Sequence, residues 1–202
     1  MADIRISGLA ARPFLGGYTR DFQTARLTEV IDFELVHVAI AKDEIERLTE
    51  KVRAESGLDW PAPGSFSTGE RDDDSDLRIV WLAADQGMII IPKSGESLLG
   101  TGRTGLADAI GDAGYLTGQT DNWVALRLVG TGSVPALERL CPLDLHETAM
   151  PPGTAARTIM EHLAVIILRE SPEQFLLLSP SSSAGSFLHA VETSILNTGG
   201  NT

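Results

Sequence analysis

The chain has one cysteine, Cys141, among 202 residues. No internal disulfide can form, and a chain without disulfides suits a reducing compartment. Basic residues are also scarce: 16 Lys and Arg stand against 28 Asp and Glu, a formal charge of -12. A field of that sign repels phosphate backbones and anionic headgroups, so neither nucleic acid nor a membrane surface is expected as a partner. No apolar stretch approaches the ~20 residues that span a bilayer; the longest, around Leu163–Leu168 and Met88–Ile91, are strand-sized. The opening MADIRISGLAARPF carries Asp3 and no apolar block of secretory length, so the cytoplasm is the expected location. What remains, 43% hydrophobic and 22% charged residues, is the composition of a globular chain able to bury a core.

Residues 1–30 show no period and read as an extended N-terminal arm. FELVHVAI, Phe33–Ile40, alternates as a strand does. KDEIERLTEKVRAESG places Ile45, Leu48 and Val52 at helical spacing, with Asp43 as N-cap and Gly57 past the end. A Pro/Gly/Asp loop, WPAPGSFSTGERDDDSD, leads into LRIVWLAADQGMIIIP, two strands about a tight turn, and then a glycine-rich weak helix. WVALRLVG is a strand, SVPALERLC a helix with Pro135 in its first turn, and ARTIMEHLAVIILRESPEQFLLLSP a pair of strands. SSSAGSFLHAVETSIL closes the chain as a helix with serine caps.

The order strand, helix, Pro-Gly loop, two strands, helix occurs twice, with EIERL answered by ALERL and PAPG by MPPG about 90 residues later. The expected fold is α+β: duplicated strand-helix-strand-strand-helix units, residues 31–118 and 119–202, each covering one face of an antiparallel sheet with its two helices.

Three motifs invite a chemical reading. GTGRTG, Gly100–Gly105, fits G-x-G-x-x-G with Asp121 downstream. A dinucleotide cradle needs those glycines directly after a strand, whereas Pro92 ends the strand too early and Gly111 and Gly114 break the helix; this reads as a glycine loop. DDDSD, Asp72–Asp76, has acids at the first, third and fifth positions of a calcium loop, but Leu77 and Ala83 stand where Gly and Glu are needed. It reads as a solvated acidic loop. Cys141, Asp144, His146 and Glu147 crowd into CPLDLHETAMPPG, yet nucleophilic triads are normally assembled from distant segments. His37, His162 and His189 sit singly, which gives a metal no ligand set. Cys141 reads as a buried small hydrophobe at a helix end that Pro142 stops.

Residues from Gln119 to about Phe187 resemble the gamma subunit family of heterotetrameric sarcosine oxidases. The matching features are Asp121, Trp123, Gly130, Leu137, the block Cys141–His146, Pro151–Gly153, Ala156–Thr158 and Phe175; before residue 119 only PAPG and RIVWLAADQGMII are similar. The resemblance implies a fold like the folate-binding domain of aminomethyltransferases. It also implies membership of a complex with alpha, beta and delta subunits that demethylates sarcosine to glycine, passing one carbon to tetrahydrofolate and electrons through flavins to oxygen. FAD, FMN, NAD, zinc and tetrahydrofolate are implied on those other subunits, with no cofactor on this chain and no catalytic residue to carry across.

The expected function is therefore a non-catalytic assembly subunit, with Asp144, His146, Pro151, Pro152 and Gly153 as a candidate interface loop that prolines stiffen before docking. Asp144 and His146 alternate with Leu143 and Leu145; one pair anchors the loop and the other faces outwards, and the alternation leaves open which. The rival readings are a stand-alone folate-binding aminomethyltransferase-like protein and an acidic protein-binding module.

Overall fold

The computed structural model describes residues 12–70, 76–92 and 105–199. The first eleven residues of the arm, Asp72–Ser75 of the acidic run and Gly100–Thr104 of the glycine cluster lie outside them.

The elements are β1 (Thr19–Asp21), β2 (Arg26–Val30), β3 (Phe33–Ile40), α1 (Ile45–Ser56), β4 (Phe66–Glu70), β5 (Asp76–Ala83), β6 (Gln86–Pro92), α2 (Gly105–Ile110), β7 (Gly114–Gly118), β8 (Trp123–Val129), α3 (Ser133–Glu138), β9 (Ala155–Met160), β10 (Leu163–Ser171), β11 (Gln174–Pro180) and α4 (Ala184–Thr198). They form two antiparallel sheets, ordered β4-β5-β6-β3-β7 and β1-β2-β8-β11-β10-β9. The chain is α+β, stacked as helices, sheet, sheet, helices.

Three cores hold the layers together. Val36 and Val38 of β3 meet Leu48 and Val52 of α1 and Ile110 of α2. Leu126 and Leu128 of β8 meet Leu137 of α3 and Phe187 and Val191 of α4. Between the sheets, Leu35, Val80 and Ile90 face Ile166, Leu168, Leu176 and Leu178. Strands buried on both faces carry uninterrupted apolar runs: in FLLL, Phe175 and Leu177 point to the helices while Leu176 and Leu178 point to the other sheet.

The two sheets share a local design. Read from one edge, β4-β5-β6-β3 and β9-β10-β11-β8 run in the same chain order. Each hairpin has a register shift at the same place, between Trp81 and Ala83 in β5 and between Arg169 and Ser171 in β10. The edges meet at an antiparallel bridge, Ser65 with Thr154, where Phe66 N–H donates to Gly153 O at 2.8 Å and Ala155 N–H to Gly64 O at 2.9 Å. Gly64 and Gly153 have φ of 76° and 89°, the left-handed region that glycine enters without strain. This is the structural use of PAPG and MPPG.

Several elements differ from expectation. The arm is not separate: β2 pairs along β8 from Arg26 opposite Val129 to Val30 opposite Ala125, and β1 pairs with β2. In RLTEV only Leu27 is a fully buried apolar side chain, so the strand carries almost no hydrophobic signal. Each sheet also gains a strand ahead of its hairpin, so the order common to both halves is strand, helix, three strands, helix, and in the first half β7 follows α2. β4 was hidden in a loop-like segment, and β9 in what read as one pair with β10 and β11. Asp43 is not the cap of α1; it has φ 62°, and Glu44 occupies the cap position without a side-chain bond. Ser183 precedes α4 without capping it, and Ser181 Oγ donates to Asp121 O instead.

Candidate functional site: a pinned loop and an inter-sheet cleft

The loop from Cys141 to Gly153 follows α3 and returns the chain to β9. Cys141, Leu145 and Met150 are buried anchors, whereas Asp144, His146, Pro151 and Pro152 are exposed and Gly153 half-exposed. The polar pair thus faces outwards, with Leu145 turned into the core. Within the loop, Asp144 Oδ1 accepts the His146 amide at 2.9 Å, and the His146 and Thr148 side chains lie 2.9 Å apart. The amides of Ala149 and Met150 both donate to His146 O.

The shape of this loop is set from beneath by Arg169, which is 3% exposed. Its Nη1 donates to Leu145 O and Met150 O, both at 2.8 Å, and its Nη2 to Pro172 O at 2.7 Å. The guanidinium also lies 5.3 Å from the Phe175 ring centroid, a favourable cation–π distance. Bonds to a charged donor are worth more than neutral ones, so a single side chain ties the two ends of the exposed segment.

No catalytic constellation forms in the loop. The Asp144 carboxylate is bonded to the His146 backbone, and the Cys141 thiol donates to Leu137 O at 3.4 Å. Burial pushes the Cys141 thiol above its ordinary value, the opposite of what an activated nucleophile requires. Among the described residues no group of three His, Cys, Asp or Glu is placed to hold a metal ion, and no helix is long and apolar enough to cross a membrane. Asp121 lies in a 3₁₀ turn (Thr120–Asn122) ahead of β8.

A second site went unread in the sequence. Arg78 of β5 and Glu170 of β10 meet across the sheets at 2.8 Å, with side chains 12% and 7% exposed. Arg127 of β8 adds a fork on the same carboxylate, Nε at 3.1 Å and Nη2 at 3.4 Å, and Gln174 donates to it at 2.6 Å. Beside this cluster a cavity of about 390 Å³ opens between the sheets, lined by Arg78 and Arg127 and, among apolar side chains, by Phe33, Ile90, Leu176 and Leu178. The available signal was charge inside an apolar strand: LRIV and ALRLV each place one, and IILRES two, where burial needs a partner.

This architecture has solved relatives. The chain superposes on a chain of the heterotetrameric sarcosine oxidase from Corynebacterium sp. U-96, determined in complex with pyrrole 2-carboxylate, with a TM-score of 0.74 and 19% identity over 88% of this chain and 87% of that one. It also superposes on the glycine cleavage system aminomethyltransferase T from Bartonella henselae, with a TM-score of 0.58 and 18% identity over 83% of this chain but 45% of that one. At these identities the likeness establishes the fold, which is aminomethyltransferase-like. No family model matches the chain, and no curated protein matches it by sequence.

Proposed function

We propose that this chain is the gamma-type, non-catalytic assembly subunit of a heterotetrameric sarcosine oxidase, working in the cytoplasm with alpha, beta and delta partners. The observation that carries the reading is the reciprocity of the structural match: 88% of this chain and 87% of the sarcosine oxidase chain align, so the two are about equal in length. The aminomethyltransferase is matched over 45% of its length, so there the fold of this chain corresponds to part of a larger chain. The motif block Cys141–His146 and Pro151–Gly153 supports the same reading, because the loop it builds is rigid, exposed and pinned by Arg169.

The two sheets arose by internal duplication. Trp81 pairs with Gly87 just before one register shift, as Arg169 pairs with Phe175 before the other. The Trp60 ring occupies the place where a Cβ on Gly87 would stand, so in the first half an indole fills space on the face where the second half has its own Phe175 ring. FAD, FMN, NAD, zinc and tetrahydrofolate belong to the other subunits, and no step of the oxidation runs through this chain.

The test is co-expression of the tagged chain with the flavin-bearing large subunits of the producing organism. Stoichiometric co-purification with sarcosine-dependent peroxide formation is the expected result, and the chain purified by itself is expected to be colourless. Failure to assemble with any flavin subunit, together with tetrahydrofolate binding by the isolated chain, overturns the proposal in favour of an independent folate protein.

A further inference from the structure

We propose that the cleft between the two sheets is a binding site for a small monocarboxylate with an apolar body, a role that does not depend on the assembly reading. At about 390 Å³ the cleft falls within the ~300–1,000 Å³ of small-molecule sites. Its composition is also that of such a site: apolar side chains from both sheets with a few fixed polar groups.

Arg127 is the recognition element. Its Nε and Nη2 are committed to Glu170, while Nη1 has no hydrogen-bond partner among the described residues. The side chain is 33% exposed and lines the cavity. The Glu170 fork therefore locks the guanidinium plane and leaves one N–H edge for an incoming acceptor. Gln174 donates to Glu170 as well and fixes the carboxylate in turn. A donor held this way loses little entropy when it binds a planar carboxylate. Leu176 and Leu178 offer that ligand an apolar surface next to the charge.

The rim decides the charge of the ligand. Asp32 and Glu29 both border the cavity, and Asp32 is exposed at its mouth. The Glu29 carboxylate accepts the amides of Leu15, Gly17 and Tyr18, which hold it on the face of β2 that Leu27 shares, away from the cleft. The Asp32 carboxylate beside the entrance repels a dianion twice as strongly as a monoanion. A monocarboxylate is favoured over phosphate or a dicarboxylate.

Benzoate, benzamide and inorganic phosphate serve as probes against the full-length chain, with methyl NMR shifts of Ile90, Leu176 and Leu178 as the readout. Saturable shifts at these methyls with benzoate, weak or absent with benzamide and phosphate, are expected. Arg127→Met lowers benzoate affinity roughly tenfold to a hundredfold, the loss expected for a hydrogen bond to a charged group; Arg127→Lys retains part of it. Val30→Phe, which narrows the mouth without touching the charges, blocks binding while leaving the melting temperature near that of the parent, a control should Arg127→Met disturb the fold. No saturable shift with benzoate, equal response to benzamide, or unchanged affinity in folded Arg127→Lys and Val30→Phe overturns the proposal. None of these outcomes bears on co-purification with flavin subunits, so the two readings stand or fall separately.

Discussion

Arg169 and Glu170 are adjacent in β10 and serve opposite faces of it. Arg169 points to the helix side and holds the carbonyls of Leu145 and Met150, while Glu170 points to the other sheet and receives Arg78 and Arg127. The pleat that turns successive side chains to opposite faces lets one dipeptide shape the exposed loop and clamp the sandwich.

Removing the first of these leaves three carbonyls without their donor. Arg169→Met is expected to cost about 2–4 kcal/mol and to lower the melting temperature by roughly 5–15 °C for a chain of this size. Hydrogen exchange at the Ala149 and Met150 amides should speed up more than exchange in α1. Unchanged exchange in the loop with a lowered melting point would show that Arg169 stabilises the core without setting the loop.

Glu170→Gln leaves two guanidiniums facing a neutral amide. Because the Arg78–Glu170 pair is nearly dry and Arg127 is partly solvated, the loss should be about 2–4 kcal/mol, towards the low side of a broken buried pair. A double-mutant cycle of Arg78→Met with Glu170→Gln, read by urea unfolding, should return a coupling of ~1–3 kcal/mol. Additivity would mean that the Arg78–Glu170 pair adds nothing to the hold between the sheets.

Tyr18 provides a pH signature. Burial, followed by its hydrogen bond to Glu192 at 2.5 Å, pushes its hydroxyl from an ordinary value near 10 up to about 12. The folded-state value is the higher one, so the contribution to stability is complete below pH 10 and disappears as pH climbs through 12. The chain has two tyrosines, and Tyr115→Phe isolates the one of interest. Its ultraviolet titration should have a midpoint well above pH 10 and shift back towards 10 in Glu192→Gln.

Cys141 is expected to react with a thiol reagent far more slowly in the folded chain than in denaturant, since burial keeps the thiol protonated. Cys141→Ala should cost about 1–2 kcal/mol by truncation and leave the activity of an assembled complex intact. Loss of turnover in a fully assembled mutant complex would give the thiol a chemical role.

Asp144→Arg tests the loop as an interface. The carboxylate is exposed and gives up one bond, to the His146 amide, so the isolated chain should lose only about 1 kcal/mol. If the loop docks, reversing this charge should weaken assembly by ~2–5 kcal/mol, or tens- to thousands-fold. Normal co-purification of the variant would remove the loop from the contact.

The sequence was most legible where a segment is apolar on a fixed period. Leu48 and Val52 mark α1 unaided, and MIII and FLLL mark β6 and β11, because burial on one or both faces leaves a pattern that needs no knowledge of the partner. PAPG and MPPG were legible as a repeat before their use was known. β2, β4 and β7 were not: GYLTG and RLTEV bury little of their own and become strands by pairing with β3 and β8. Their signal lies in the neighbour's backbone groups rather than in their own side chains.

The same division applies to function. By itself the sequence determined the acidic surface, the absence of disulfides, the α+β layering and a loop dense in proline, since these follow from composition and local period. Tertiary structure alone decided that Asp144 and His146 face outwards, that Arg169 reaches back to Leu145, and that Arg78, Arg127 and Glu170 meet beside a cleft. Those residues are 24 positions apart for the loop contact and 43 for Arg127 with Glu170. An ion pair between strands of different sheets has no periodicity to announce it; each charge reads as an exception in its own strand until packing brings the exceptions together.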